Sequence, residues 1–168
     1  MKIPVYRVID EMIRYNGGAP NLIQHALKVY AFAKAIGEEE GLSEETQEIL
    51  ETAAVLHDIG IRESERKYGD ADGVHQQVEG PPIAEEILQR LGAAPALIER
   101  VCYLIAHHHT YSGVEGMDYR ILIEADFLVN VYETPSMQAS ASEILKKNFE
   151  TASGARYFKA QFLSGSGC

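Results

Sequence analysis

Apolar residues recur at steps of three and four along most of the chain, a spacing that predicts helices. Clear examples run from Leu22 to Ile36 and from Ile83 to Leu91. No stretch shows the strict alternation of a half-buried strand, and the β-branched run RILIEADFLVNVY is too long for an isolated one. The sequence therefore predicts an all-α fold, a compact single-domain bundle of seven or eight helices.

Capping residues, glycines and prolines set the expected helix boundaries. Asn21 is expected to cap the second helix through its capping-box spacing to Gln24, and Ser43 is expected to start the third. Residues 61–77 indicate a polar loop or short helical turns, after which Gly80-Pro81-Pro82 is expected to open a helix. Other helices are predicted over 3–15, from Pro95 to the histidines at 107–109, from about 118 to 132, and over 136–150 and 152–163.

Composition narrows the class of protein. With 168 residues, of which 46% are hydrophobic, the chain is expected to form one domain over 1–168 with a real core. No apolar run approaches the ~20 residues that cross a bilayer, so no membrane contact is expected. Two cysteines, Cys102 and Cys168, fit a reducing cytoplasm better than a disulfide framework. The formal net charge of -10 argues against a nucleic-acid polymer as partner, but not against a small anionic substrate.

Four titratable side chains interrupt stretches that are otherwise apolar. His25 lies near the start of the second helix, His57 and Asp58 end the third within VLHDIG, and Asp126 lies inside ILIEADFLVN. Burying such groups is unfavourable unless each has a partner. A single buried histidine is more often ordinary hydrogen-bonded packing than a ligand. Together, however, two imidazoles and two carboxylates in a helical bundle are the usual composition of a divalent-metal site.

The order of these residues, H…HD…D, resembles the signature of the HD superfamily of metal-dependent phosphohydrolases. The flanking segments HALKVYAFA, AAVLHDIG, EGPPIAEEILQRLG, IAHHH and EADFLVN are similar too. The resemblance covers about 21–132 of an HD-type bundle, with additional N- and C-terminal helices outside it. It implies that His25, His57, Asp58 and Asp126 coordinate one divalent metal. Oxygen and nitrogen ligands suit Mn, Mg, Co, Ni, Fe or Zn, and the ligand types do not choose among them.

The chemistry expected of such a site is hydrolysis. A divalent ion makes a bound water more acidic and polarises a phosphoryl oxygen, and Asp58 can orient that water. The expected function is therefore metal-dependent hydrolysis of a small phosphorylated substrate, a phosphomonoester or nucleotide, through a metal-activated water. Two alternatives stay open: a di-iron oxygenase on the same fold, and a non-catalytic metal-containing sensor or binding domain.

The substrate contacts depart from the family pattern. Many HD hydrolases carry a lysine directly after HDIG, but this chain has Ile61 there. Arg62 or Lys67 would then have to contact the phosphate, although a solvated loop is the simpler reading of both. Asn130, one turn beyond Asp126, could contact the substrate or support the ligands.

A second metal is the remaining question. Two-metal members have a histidine where this chain has Gln76, which favours one tightly held ion. Glu79 is expected to be catalytic together with Asp58, by orienting the attacking water or a weakly bound second ion, and helix capping is the alternative. Because neighbours on a helix diverge by about 100°, His107 and His108 are expected to face the site and His109 to point outward.

Overall fold

The computed structural model describes residues 2–164, and these form nine α-helices and one short 3-10 helix, with no strand among them. The helices are α1 (Val5–Tyr15), α2 (Pro20–Glu39), α3 (Glu44–Leu56), α4 (Ile61–Tyr68), α5 (Gly73–Arg90), α6 (Pro95–His107), α7 (Met117–Glu133), α8 (Ala141–Asn148) and α9 (Ala152–Phe162), with the 3-10 helix at Pro135–Ser140. The predicted all-α class is confirmed. Within the described part of the chain, none of the helices is both long and apolar enough to cross a membrane.

α7 is the helix around which the others pack. It contacts α2, α3, α8 and α9, while α5 pairs with α6, and Arg100 of α6 donates to Asp118 of α7 at 2.8 Å. Eleven of its residues are buried, including Ile121, Leu122 and Leu128. A buried polar side chain on α7 therefore has to find its partner inside the protein rather than in water.

The start of α2 differs from the sequence prediction. The helix begins at Pro20 with Ala19 as the N-cap residue, and no side chain caps it. Proline suits the first helical position because it has no N–H that needs a partner there and its φ is already helical. Asn21 thus lies inside the helix. Ser43 does cap α3 as expected, since its hydroxyl accepts from the Thr46 N–H at 3.2 Å.

The start of α5 also differs, by seven residues. The side chain of Asp72 accepts from the Val74 N–H at 3.2 Å, so the helix begins at Gly73 and Pro81 and Pro82 lie in its interior. The apolar pattern hid these first turns, because the valines in them are exposed. α4 occupies the stretch for which the sequence indicated a loop or short helical turns.

A close approach of two backbones positions α5 behind the end of α3. A Cβ atom on Gly60 would lie 2.6 Å from the backbone nitrogen of Gly80, a distance that real Cβ atoms do not reach. Gly60 therefore has to be glycine for α5 to pack at this depth, and a Cβ atom on Gly80 would lie 2.8 Å from the Ile105 side chain. The contact holds α5 against the turn that follows His57 and Asp58.

Candidate metal centre

Three helices bring four titratable side chains together inside the bundle. His25 comes from α2, His57 and Asp58 from the end of α3, and Asp126 from the middle of α7. One ligand atom of each lies within 4.8 Å of the other three. His25 Nε2 is 3.2 Å from Asp58 Oδ2 and 3.1 Å from Asp126 Oδ1. His57 Nε2 lies 3.3 Å from each of the same two oxygens. The structure thus gathers all four residues that the sequence singled out.

Hydrogen bonds on the outer side of each ring fix which nitrogen faces this cluster. His57 Nδ1 donates to the carbonyl of Ala54 at 2.7 Å, and His25 Nδ1 donates to the carboxylate of Glu133 at 2.6 Å. Because a carbonyl oxygen cannot donate, the proton of a neutral His57 is on Nδ1 and Nε2 keeps its lone pair. The two Nε2 atoms are only 3.2 Å apart. Acceptor atoms alone therefore converge here, and such an arrangement needs a proton or a metal cation between them.

The pKa values of the clustered side chains also indicate that the site favours positive charge. Burial lowers the pKa of His25, but hydrogen bonds with Asp126 and Asp58 outweigh it and raise that pKa to about 10. The pKa of His57 is also raised well above its usual range, because the charge of Asp58 and hydrogen bonds to the carboxylates outweigh burial. Burial would raise the pKa of Asp126, yet its hydrogen bonds with the two imidazoles lower it. The cluster holds cationic charge as protons unless a metal replaces them.

A second group of possible ligands adjoins the first and shares Asp58. It consists of Asp58, His108 and His109. His108 Nδ1 donates to the Ile105 carbonyl at 2.8 Å, so Nε2 faces Asp58 Oδ1 at 3.2 Å. Two acceptors again lie opposite each other, and again a proton or cation has to lie between them.

Gln76 orients the second histidine of this group. Its amide nitrogen donates to the Ala71 carbonyl at 2.6 Å, which turns its oxygen toward His109 Nε2 at 3.1 Å. His109 therefore donates from Nε2 and keeps the lone pair of Nδ1. Burial is the main cause that lowers the pKa of His109 to about 4, with the neighbouring His108 adding to it. The ring is neutral at neutral pH, as a metal ligand has to be.

The expected orientation of the three consecutive histidines is shifted by one residue. His107 does not join the described clusters, because its Nδ1 donates to the Tyr103 carbonyl at 2.7 Å and its ring stacks on Tyr103 at 4.1 Å. His108 and His109 face the site instead, with ring centroids 3.9 Å apart. The prediction assumed a continuous helix. α6 ends at His107, so the divergence of about 100° between helical neighbours no longer applies to the next pair.

Glu79 and Lys67, which the sequence analysis considered for the water and the phosphate, lie next to each other. Lys67 Nζ donates to Glu79 Oε1 at 2.8 Å, and the Tyr68 hydroxyl donates to Glu79 Oε2 at 2.9 Å. The bond from Lys67, followed by that from Tyr68, lowers the pKa of the Glu79 carboxyl. Both carboxylate oxygens therefore have donors, and they connect α4 to α5.

The other two residues considered for substrate binding lie on different helices. Arg62, on α4, donates from one guanidinium nitrogen to the carbonyls of Tyr15 and Gly17, at 3.1 and 2.8 Å. These bonds tie α4 to the end of α1. Asn130 is half-buried on α7, one turn beyond Asp126.

Glu133 is a residue of the site that the sequence analysis missed. Its carboxylate accepts from His25 Nδ1 and, at 2.7 Å, from the ammonium of Lys28. It lies seven residues after Asp126, which is two helical turns, so the two carboxylates share a face of α7. This spacing is the sequence signal from which Glu133 could have been predicted as a residue of the site. A carboxylate on the outer nitrogen of a histidine fixes its ring and makes Nε2 a better ligand.

Tyr111 was missed as well. Its ring centroid lies 5.1 Å from that of Phe127, which directly follows Asp126. Burial, and then the charges of Asp126 and Asp58, raise the pKa of the Tyr111 hydroxyl to about 12. The residue nevertheless keeps 47% of its surface exposed. No periodicity in the sequence distinguishes this tyrosine from the other eight.

Comparison with known families agrees with this geometry. A family model described as the HD domain matches residues 22–147, about three quarters of the chain. Searches of the curated proteins and of the solved structures found no match. The chain belongs to the HD-domain family, whose members are mostly metal-dependent hydrolases. The resemblance drawn from the sequence is confirmed, and the match extends beyond its expected end near Tyr132.

Proposed function

We propose that this HD-domain protein is a metal-dependent phosphohydrolase that acts on a small phosphorylated substrate, a phosphomonoester or nucleotide. One observation carries the proposal: the Nε2 atoms of His25 and His57 and the carboxylates of Asp58 and Asp126 converge as acceptors. Imidazole nitrogens and carboxylate oxygens fit a divalent ion from the set Mn, Mg, Co, Ni, Fe and Zn. Such an ion would supply an acidified water and would polarise a phosphoryl oxygen.

Asp58 is the residue that we assign to orienting the water. Its Oδ2 lies against His25 and His57, while its Oδ1 faces away from them, toward His108 Nε2 at 3.2 Å. One oxygen can therefore hold the cation while the other accepts a hydrogen bond from the water. With only the first ion bound, the lone pair of His108 Nε2, which lies beside that oxygen, would be free to take up the proton that the water releases.

The remaining candidates receive different roles in this proposal. Asn130 has the amide donor that a phosphoryl oxygen needs, and it lies one turn from Asp126. Arg62 and Lys67 are assigned to holding α4 in place, because their hydrogen bonds go to protein groups. Glu79 receives the same assignment, since Lys67 and Tyr68 occupy both of its oxygens.

We assign one tightly held ion to the four-residue cluster and a weaker second ion to Asp58, His108 and His109. The second group has only three possible ligands, of which Asp58 is shared, and His109 depends on Gln76 for its orientation. A carboxylate that bridges two ions is common where two metals lie about 3.5–4 Å apart. The geometry of Asp58, with one oxygen toward each group, suits that role.

The test is a metal and turnover analysis of the purified protein. We expect about one tightly bound divalent ion per chain, and release of phosphate from p-nitrophenyl phosphate or a nucleoside monophosphate with at least one of the six metals. Metal-stripped protein should be inactive and recover when the metal returns. A bound ion without phosphate release under any condition would favour the sensor alternative. Two irons per chain with consumption of oxygen would favour the oxygenase, for which the Asp58–His108–His109 group is the specific observation.

A further inference from the structure

An aromatic pair, Tyr111 and Phe127, lies at the edge of the metal centre. The two ring centroids are 5.1 Å apart and the planes are inclined by 46°. Phe127 follows Asp126 on α7, and Tyr111 comes two residues after His109, so each ring is carried by backbone next to a residue of one of the two ligand groups.

The backbone that carries Tyr111 is held firmly, although its ring is half open to solvent. The N–H of Thr110 donates to the His107 carbonyl at 2.8 Å, and the carbonyl of Thr110 accepts from the Tyr119 hydroxyl at 2.6 Å. Tyr119 itself is fully buried in the core. Tyr111 therefore presents a large aromatic surface from a fixed position, which lowers the entropic cost of binding a ligand against it.

We propose that Tyr111, with Phe127 behind it, forms a subsite for a planar aromatic group of the substrate. The inference rests on the proposed function, because the phosphate is assumed to lie at the metal cluster. It narrows the substrate class to phosphate compounds with an aromatic part close to the phosphate, such as nucleotides or aryl phosphates. Sugar phosphates and alkyl phosphates have no flat face to offer the ring.

Physical chemistry favours an aromatic occupant over a charged or aliphatic one. Phe127 contacts the Tyr111 ring on one side, while nearly half of the residue remains exposed. Offset or tilted stacking gains energy from ring quadrupoles in addition to the apolar area that it removes from water. One base stacked on one aromatic side chain changes affinity by about tenfold or more.

The experiment compares two non-hydrolysable probes, phenylphosphonate and methylphosphonate, by calorimetry on the metal-loaded protein. We expect Tyr111→Ala to weaken phenylphosphonate by about tenfold and methylphosphonate by less than about twofold. Tyr111→Phe, which keeps the ring, should bind both as the unaltered protein does. The matched control is Tyr6→Ala, which removes another exposed tyrosine, from α1. Metal content, measured by mass spectrometry, should be equal in all variants.

The outcomes separate this inference from the proposed function. If Tyr111→Ala weakens both phosphonates equally, or neither, or if the unaltered protein binds neither probe, the aromatic subsite is wrong. If phenylphosphonate binding depends on the ring of Tyr111 but no phosphate ester is hydrolysed, the subsite stands and the phosphohydrolase proposal fails. If esters are hydrolysed with the same effect of Tyr111→Ala on phenyl and ethyl phosphate, hydrolysis stands and the subsite falls.

Discussion

Two carboxylates on α7, Glu124 and Asp126, are both buried, yet their surroundings differ in kind. Glu124 accepts three hydrogen bonds from donors at the start of α9. The N–H groups of Glu150 and Thr151 lie at 2.8 and 3.0 Å, and the hydroxyl of Thr151 lies at 2.6 Å. Gly154, which has no side chain, leaves room for the carboxylate. The polar groups of this region satisfy one another without any ligand.

Asp126 meets the opposite situation. Its Oδ1 faces the Nε2 atoms of His25 and His57, at 3.1 and 3.3 Å, and both are acceptors when the rings are neutral. The two carboxylates are only two residues apart, which turns them about 200° from each other on the helix. Burial therefore does not distinguish a structural acid from the acid that we propose as a metal ligand. The supply of donors around the acid does.

The strongest test of this contrast is the replacement of Asp126 by alanine. We expect the variant to lose its bound metal. Replacing a residue that only hydrogen-bonds to a metal ligand lowers metal affinity by about 10–100-fold, and the loss of a ligand itself should cost more. The fold should also lose stability, because the remaining ligands lose their shared cation. Mass spectrometry of the purified protein and thermal unfolding measure both effects. Unchanged metal content would remove Asp126 from the ligand set.

Replacement of Glu124 by alanine should lower stability and leave the metal content unchanged. Buried donors at the start of α9 would lose their acceptor, and we expect the free energy of unfolding to fall by about 2–4 kcal/mol. Metal content per folded molecule should stay at the original value. Chemical denaturation and metal analysis of the same preparation check the prediction. A variant of unaltered stability, or one that has lost its metal, would contradict the division between the two acids.

The sequence predicts the helical class and identifies the four side chains that converge, because both depend on local signals. Apolar steps of three and four mark buried helix faces, and His57-Asp58 and Asp126 interrupt such faces where no ordinary packing explains them. Glu124 also interrupts one, two positions earlier, and nothing local tells the two acids apart. Their difference depends on Thr151 and on His25, which are distant in the sequence. Contacts of that range were invisible before the fold was known.

The predictions from the sequence that were wrong concern the ends of helices. Gly80-Pro81-Pro82 imitates a helix start, but Asp72 supplies a better cap, and the exposed Val74 and Val78 erase the apolar signal between them. The orientation of His108 and His109 depends on where α6 ends, and helix ends are the least certain part of any such reading. Glu133 could have been predicted from the sequence, since it lies two helical turns after Asp126.

Glu133 tests whether support from the outer side of a ring matters to the centre. Glu133→Gln keeps the shape of the side chain but removes the charge that accepts from His25 Nδ1. We expect metal affinity to fall by about 10–100-fold, while stability of the metal-free protein changes little. Titration of the metal-stripped protein with Mn or Zn measures the affinity. Lys28→Met, which removes the other partner of Glu133, is the matched control and should have a smaller effect.

The pH dependence of stability should differ between the metal-free and metal-loaded protein. In the metal-free state the pKa of His25 is raised from 6.5 to about 10, so its contribution to stability is complete below about pH 6.5 and is lost as pH rises toward 10. With metal bound, the imidazoles are already deprotonated and this loss is absent. The melting-temperature gap between the two states should therefore widen, by about 10 °C, between pH 6.5 and 9.5. Parallel pH profiles would contradict it.

Glu79 extends the comparison to a third buried acid, one with donors on both oxygens. Because Lys67 and Tyr68 satisfy it as the α9 donors satisfy Glu124, we expect Glu79→Gln to keep the full metal content. Turnover should change by no more than about threefold, the effect of weakening one partly exposed ion pair between α4 and α5. Steady-state kinetics on a phosphate ester, with metal analysis of the same sample, measure both.

The matched control for Glu79 is Lys67→Met, which breaks the same ion pair from its other side. If Glu79 only connects the two helices, both variants lower turnover by a similar small factor, since each removes the same contact. If Glu79 instead orients the attacking water, Glu79→Gln lowers kcat by about 100-fold or more, in the range of general acid–base catalysis, while Lys67→Met stays close to the unaltered protein. That second result would place Glu79 in the catalytic machinery, and donors around a buried acid would no longer suffice to call it structural.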